Sequence, residues 1–234
     1  MNQSTQEIEL TLASFNGQGW SQDKLGNNYY PSFQSREFAL EYDSFGQANV
    51  AFENAGRLMF GLKGVLTQNQ WNFSTIDEYD VHPGPFGIDM AIGAGDIPWV
   101  AYIQQGYLRY ATYNIQRQDW VNGILGQVGM FGPGNLFSMS ADSRGGVGVA
   151  YIGANKMLTL AYNDGSGGWT YDIGIAGGRG DVGLAFDSRN NPVICYTDER
   201  DGFLHLAYDP AFVPEPASFM LFGLGALALG RRRK

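Results

Sequence analysis

The chain has 234 residues, of which 44% are hydrophobic and 33 are glycine, and its formal net charge at neutral pH is −8. Residues 231–234 supply four positive charges and Glu215 supplies one negative charge, so residues 1–213 carry −11. A body this acidic repels phosphate backbones, which argues against nucleic-acid binding. The single cysteine, Cys195, excludes an intramolecular disulfide, and its place in a predicted strand favours burial over reactivity.

The sequence repeats with a period of about 49 residues. Tryptophan recurs at intervals of 51, 49 and 49 residues, at Trp20, Trp71, Trp120 and Trp169. A short segment that begins with leucine and ends in alanine or glycine recurs five times, at residues 10–13, 58–61, 108–111, 158–161 and 204–207. Alternation of apolar and polar residues predicts four short strands in each unit. Units of this length are typical of β-propeller blades, because one such sheet buries its faces only against its neighbours.

The N-terminal residues enter the repeat at its third strand and continue into a fourth strand at Trp20, so the first two strands of that unit are missing. They also lack the charged and apolar regions of a secretory signal peptide. Two interpretations stay open. Either a leader and earlier strands are missing from this sequence, or the N-terminal strands close a ring by pairing with the last unit. That last unit has three strands and no fourth-strand tryptophan.

These elements predict an all-β, propeller-like domain over residues 1–212. We expect about five four-stranded blades, of which the first and the last are incomplete. Three units carry an aspartate before the turn that joins their first two strands, namely Asp43, Asp142 and Asp187, and another unit has Gly93 there. We predict that each carboxylate accepts hydrogen bonds from nearby backbone N–H groups, which is ordinary turn chemistry.

The aromatic residues fall into two groups. A tryptophan that recurs once per unit is predicted to pack between neighbouring blades. Four aromatic residues lie outside the repeat pattern and are better candidates for stacking on a sugar ring, namely Trp99, Tyr107, Tyr29 and Tyr30. Of these, Trp99 stands where the other units have Asn49, Gly148 and Val193. The pattern gives no convergent metal or cofactor site, so none is predicted.

The composition changes at residue 213. Pro214-Glu215-Pro216 is followed by an apolar run of 14 residues, 217–230, and then by Arg231, Arg232, Arg233 and Lys234. As a helix the run would reach about 21 Å, short of a hydrocarbon core of ~30 Å. We predict a C-terminal hydrophobic helix that inserts marginally in a membrane, with the basic cluster on the cytoplasmic side.

These three parts, in this order, resemble the PEP-CTERM sorting signal of Gram-negative bacteria. The resemblance covers residues 213–234 only. It implies recognition of Pro214, Glu215 and Pro216 by an exosortase, with cleavage close by and transient anchoring in the inner membrane through residues 217–230. It also implies release to the cell surface or the extracellular matrix, in a setting of exopolysaccharide production.

The favoured function is therefore that of an exported, non-catalytic propeller that binds polysaccharide or has a structural or adhesive role. A hydrolase or lyase acting on polysaccharide is the first alternative, with carboxylates such as Asp77, Asp80 or Asp198 in one pocket and a raised pKa on one of them. A protein-protein interaction scaffold is the second alternative, and would present an exposed apolar patch.

Overall fold

A computed structural model describes residues 8–15, 17–28, 38–54, 56–64, 70–78, 86–129 and 136–208. These residues form antiparallel sheets that we number I to V in chain order. Sheet I comprises β1 (Ile8–Phe15) and β2 (Trp20–Asn28). Sheet II comprises β3 (Phe38–Tyr42), β4 (Ala48–Asn54), β5 (Arg57–Lys63) and β6 (Trp71–Glu78). Sheet III comprises β7 (Phe86–Ile92), β8 (Pro98–Gln104), β9 (Tyr107–Asn114) and β10 (Asp119–Gln127).

The remaining sheets follow the same plan. Sheet IV comprises β11 (Phe137–Ala141), β12 (Val147–Ile152), β13 (Met157–Asn163) and β14 (Thr170–Ala176). Sheet V comprises β15 (Gly178–Phe186), β16 (Pro192–Asp198) and β17 (Leu204–Ala207). A single turn of 3-10 helix, Ala94–Asp96, joins β7 to β8.

Within each sheet every strand pairs with the next one in the chain. The predicted all-β architecture is confirmed. Among the described residues, sheet I has two strands and sheet V has three. Ring closure through strand pairing is not observed in the described part of the chain, since β1 pairs with β2 and β17 pairs with β16 in separate sheets. The predicted C-terminal helix lies outside the described residues. Among the described residues, no helix is long and apolar enough to span a membrane.

The sheets stack through their first strands, because β3, β7, β11 and β15 contact one another in that order. The second strands of sheets II to IV, β4, β8 and β12, lie between two neighbouring sheets, so residues on both of their faces are buried. All six residues of β12, Val147–Ile152, are buried, which explains why this strand reads as a continuous apolar run. Small residues at its centre and at the equivalent positions allow this close approach, since Ala51, Ala101 and Ala150 are each 0% exposed.

The sheets also share an irregularity in strand pairing that the sequence repeat does not predict. A β-bulge interrupts the pairing of the third and fourth strands in all of sheets I to IV. Each bulge lies at the leucine that opens the third-strand segment, namely Leu10, Leu58, Leu108 and Leu158. A bulge increases local twist, so the same distortion of strand pairing recurs at one register in these four sheets.

The recurring tryptophans pack between sheets as predicted, with one departure. Trp71, Trp120 and Trp169 lie against the hydrophobic cores that join sheets I and II, II and III, and III and IV. The indoles of Trp120 and Trp169 contact aromatic rings of the preceding sheet. Trp20 is 73% exposed, and no sheet precedes sheet I among the described residues. The expectation of packing therefore fails at Trp20.

Sheet V presents an outer face that no further sheet covers in the described part of the chain. Phe203, Leu204 and Leu206 are 70%, 68% and 62% exposed. Cys195 is partly exposed, which corrects the predicted burial, because it pairs with Leu206 on this outward side while Ile194 and Tyr196 face sheet IV.

Candidate functional site

The turns between first and second strands meet at one end of the array. Ser44 of sheet II donates from its backbone nitrogen and its hydroxyl to the carboxylate of Asp96 in sheet III, at 2.8 and 2.7 Å. Ser143 of sheet IV donates in the same way to the side-chain oxygen of Asn190 in sheet V, at 2.8 and 2.7 Å. Between them, the backbone nitrogen of Ala94 donates to the carbonyl oxygen of Gly145, at 3.0 Å. Hydrogen bonds thus connect the turns of sheets II to V.

The predicted role of the turn aspartates is confirmed. One oxygen of each carboxylate accepts from two backbone N–H groups, those of residues two and four positions later, at 2.8 to 3.0 Å. The three aspartates are Asp43, Asp142 and Asp187. Each turn also places a residue with positive φ at the fourth position, namely Gly46, Gly145 and Asn190. Glycine and asparagine tolerate this conformation best, which explains the residue types found there.

Asp142 makes further bonds that the other two do not. Its second oxygen accepts from the Tyr162 hydroxyl at 2.7 Å and from the Arg144 guanidinium at 2.9 and 3.2 Å. Burial raises the pKa of Asp142, but the hydrogen bonds from Tyr162, Arg144 and Gly146 outweigh this effect, and the pKa lies below its usual range. Asp142 is therefore an ionised carboxylate that fixes Arg144 and Tyr162 at the edge of the space between sheets IV and V.

A pocket of about 410 Å³ opens between sheets II and III beside these turns. We call it the II/III pocket. Sheet II contributes apolar side chains from Phe60 and Leu62 and polar ones from Asn49, Asn72 and Ser74, together with the turn residues Asp43, Phe45 and Gln47. Sheet III contributes Gly95, Asp96, Pro98 and Tyr113. The volume lies within the range of small-molecule sites, about 300–1,000 Å³.

Hydrogen bonds to neighbouring residues fix the orientation of polar groups in the II/III pocket. Trp120 donates from its indole nitrogen to the Ser74 hydroxyl oxygen at 3.1 Å, and its ring meets that of Phe60 edge-on at 5.0 Å. Asn49 donates to the carbonyl of Gln47 at 3.0 Å. Asp96 accepts from Ser44, and these hydrogen bonds lower its pKa. The pocket therefore combines an apolar wall with oriented amide, hydroxyl and carboxylate groups.

An equivalent pocket of about 310 Å³ opens between sheets IV and V, and we call it the IV/V pocket. Its lining includes Leu160, Tyr162, Thr170, Asp172 and Pro192. These residues match Phe60, Leu62, Asn72, Ser74 and Pro98 of the II/III pocket in the repeat, and the strand registers agree, since Leu62 pairs with Asn72 as Tyr162 pairs with Thr170. A second cavity of about 400 Å³ adjoins the IV/V pocket and shares Leu160, Asp172 and Pro192 with it.

The predicted ligand aromatics are not gathered at one site. Trp99 is half-buried between sheets III and IV, where its ring stacks on Tyr110 at 6.0 Å and meets Trp169 edge-on at 5.7 Å. Tyr107 is 42% exposed and lies at the opposite end of the β8–β9 pair. Tyr29 and Tyr30 lie outside the described residues. A direct contact of Trp99 or Tyr107 with a ligand stays a prediction.

The carboxylates proposed for a catalytic role have partners. Asp77 accepts from the Tyr102 hydroxyl at 2.7 Å and from Arg109 at 3.3 Å. Asp198 is bound by the guanidinium of Arg200, and this contact lowers the pKa of Asp198 to about 2. Asp80 lies outside the described residues. Among the residues that the structure describes, no group of three potential metal ligands comes together.

Sequence reasoning missed two carboxyl groups on neighbouring first strands. Burial raises the pKa of Asp89, although its carboxylate accepts from the backbone nitrogens of Met139 at 2.7 Å and Met90 at 2.9 Å. Glu41 is an exposed residue near the end of β3, where partial burial of its carboxyl group, and then the charge of Asp89, raise its pKa. Glu41 and Asp89 occupy different positions in their repeat units. No feature of the repeat therefore points to the pair.

Replacing Asp89 with asparagine is expected to lower the pKa of Glu41 towards its ordinary value. The substitution removes the neighbouring negative charge, whereas burial, the larger cause, remains, so the fall is partial. Carboxyl-carbon NMR titration of the variant and of the remote, exposed Asp119→Asn control measures this shift. An unchanged or higher Glu41 pKa in Asp89→Asn would contradict the coupling.

A comparison with protein families matches residues 212–234 to the PEP-CTERM protein-sorting motif. The chain therefore carries this motif, which implies export and exosortase processing. No curated protein sequence matches the chain.

Several solved structures share the fold. The SapL1 lectin, solved with α-methyl fucoside, is 14% identical over 85% of this chain and 71% of the lectin, with a TM-score of 0.56. The six-bladed propeller lectin of Aleuria aurantia is 16% identical over 76% of this chain and 64% of the lectin, with a TM-score of 0.52. The NanB sialidase of Streptococcus pneumoniae is 13% identical over 85% of this chain and 34% of the enzyme, with a TM-score of 0.54. The structural similarity indicates a propeller-like fold. Sequence identities this low do not indicate a particular activity.

Proposed function

We propose that this chain is an exported carbohydrate-binding propeller whose inter-sheet pockets each hold one sugar unit of an extracellular polysaccharide. The tail, residues 213–234, directs export and is processed by an exosortase, and the propeller-like domain, residues 1–212, stays at the surface or in the matrix. Binding takes place without catalysis.

The recurrence of one pocket at two interfaces carries this proposal. In both the II/III and the IV/V pocket an apolar wall, Phe60 or Leu160, lies beside polar side chains at the rim, such as Asn72 or Asp172. A sugar ring has the same division, since its C–H faces are apolar and its hydroxyl groups donate and accept hydrogen bonds. Oriented amide and carboxylate groups match the hydroxyl groups, and aromatic or aliphatic side chains match the ring faces.

The similarity in fold to two sugar-binding lectins also supports the proposed carbohydrate binding. SapL1 was solved with α-methyl fucoside, and the Aleuria aurantia lectin recognises fucose. We therefore place deoxy and other neutral sugars first among the candidate ligands. The formal charge of −11 on residues 1–213 agrees with this order, because an acidic body repels uronic acids and sulfated sugars.

Binding to a glycan array tests the proposal. The full chain, kept in a detergent that contains no sugar, is compared with Asn72→Ala and Asp172→Ala. Each variant removes one rim group and is expected to weaken binding about tenfold, the cost of one well-placed hydrogen bond. The matched controls, Asn122→Ala and Asp119→Ala, alter exposed residues that line neither pocket and should bind like the unmodified chain. Absence of glycan binding by a folded chain would refute the proposal.

A second candidate function is a polysaccharide hydrolase or lyase, and the pair Glu41–Asp89 is the observation that favours it. A carboxyl group with a raised pKa can act as a general acid while its neighbour acts as a base or nucleophile. This function predicts release of reducing ends from a matrix polysaccharide, with loss of the activity in both Glu41→Gln and Asp89→Asn. Binding without product release would favour the lectin function.

A further inference from the structure

Between the two open pockets lies the interface of sheets III and IV, where aromatic rings of the described residues pack against one another. Trp99 of sheet III occupies the repeat position of Asn49, which lines the II/III pocket, and of Gly148 in sheet IV. Its indole packs with Tyr110, the equivalent of Phe60, and with Trp169, the equivalent of Trp120. Rings therefore fill the space between sheets III and IV that corresponds to the II/III pocket.

A second departure from the repeat makes room for this indole. Gly93 takes the place of the turn aspartates. A Cβ atom at Gly93 would lie 2.9 Å from the indole nitrogen of Trp99 and 3.0 Å from its Cδ1 atom. Real Cβ contacts are not this short, so an aspartate here would displace the ring. The two unusual residues of sheet III, Gly93 and Trp99, thus form a matched pair.

Hydrogen bonding at the interface of sheets III and IV also differs from that at the interface of sheets II and III. The indole nitrogen of Trp120 has the Ser74 hydroxyl as its acceptor, but the corresponding residue in sheet III is Gly123. Within the described part of the structure, the buried indole nitrogens of Trp71 and Trp169 and the Thr112 hydroxyl have no hydrogen-bond partner. Trp169 is the member of this group that packs against the rings of Trp99 and Tyr110, where Gly123 offers no side-chain acceptor.

We infer that Trp99, together with Gly93, closes a third sugar pocket, so that sites along this end of the array alternate open, closed and open. This inference rests on the proposed carbohydrate binding and names its partner more closely. Two open pockets at the same end, separated by one closed interface, suit a polymeric glycan that engages both pockets with non-adjacent sugar units. Binding at two points raises the affinity for the polymer over that for a single sugar by roughly 10²–10⁴.

Exchanging the residues between sheets tests this inference in both directions. The opening variants are Trp99→Asn alone and Trp99→Asn combined with Gly93→Asp, which restores the residues of sheet II. The closing variant combines Asn49→Trp with Asp43→Gly. Binding equivalents are measured by calorimetry on the full chain in sugar-free detergent, with a panel of neutral methyl glycosides that includes α-methyl fucoside. Thermal unfolding identifies folded variants.

The opening variants are expected to gain one equivalent of glycoside per chain. The closing variant is expected to lose one, and with it most of the preference for polymer over monomer. A folded opening variant with an unchanged or smaller number of equivalents overturns the inference, and a smaller number would indicate direct stacking of Trp99 on the ligand. Should the unmodified chain bind no member of the panel and no array glycan, the proposed function itself fails, which distinguishes the two failures.

Discussion

Replacing Trp120 with alanine is expected to lower the free energy of unfolding by about 3–5 kcal/mol, the range for large-to-small changes in protein cores. The indole joins sheets II and III. Its ring lies 5.0 Å from Phe60 of the preceding sheet and 5.6 Å from Tyr113 of its own, and its nitrogen donates to Ser74. Removing it leaves a cavity between two sheets and a hydroxyl that has lost its donor. Denaturant unfolding monitored by circular dichroism measures the effect.

Trp20→Ala is the matched control for this prediction, because the same residue type occupies the same repeat position. Trp20 is 73% exposed, so its replacement is expected to cost less than about 1 kcal/mol. Equal losses in the two variants would contradict the assignment of the recurring tryptophans to inter-sheet packing. Trp169→Ala should behave like Trp120→Ala, since Trp169 contacts both Trp99 and Tyr110.

The repeat predicted those features that depend on one unit and its neighbour in sequence. Packing of Trp120 and Trp169 follows from the period, because a residue repeated once per sheet meets the same surroundings wherever another sheet precedes its own. The turn at Asp142 is equally local, since the backbone N–H groups that donate to its carboxylate lie within four residues. In these cases the pattern and the physical cause involve the same short stretch of chain.

Features formed by two sheets were harder to predict. The II/III pocket joins Asn49 and Phe60 to Tyr113, which lies in the next sheet, and no sequence spacing encodes its depth. The pair Glu41–Asp89 arises because two first strands lie side by side at different registers. The repeat marks Trp99 as unusual, but its link to Gly93 depends on the short distance between the indole and a Cβ atom placed at Gly93, which the sequence does not encode.

Replacing Asp142 with asparagine is expected to destabilise the fold by about 2–3 kcal/mol, the range for loss of hydrogen bonds to a charged group. The side chain of Asp142 is 0% exposed. An amide nitrogen in place of its second oxygen would face the donors Arg144 and Tyr162. In Asp187→Asn, the control, the corresponding oxygen accepts from Asn191 at 3.1 Å and, among the described residues, from no charged group, so the loss should be clearly smaller than in Asp142→Asn.

The pH dependence of the destabilisation in Asp142→Asn tests the role of the negative charge more directly. Because the pKa of Asp142 is lowered by folding, the ionised carboxylate contributes its full stability above the ordinary value of 3.8. That contribution disappears as the pH falls through the lower pKa of the folded state. The difference in unfolding free energy between the unmodified chain and Asp142→Asn should therefore be constant near neutral pH and shrink below about pH 4. A difference that grows on acidification would show that the carboxylate is protonated in the folded protein, and the anchoring of Arg144 and Tyr162 by a negative charge would then be wrong.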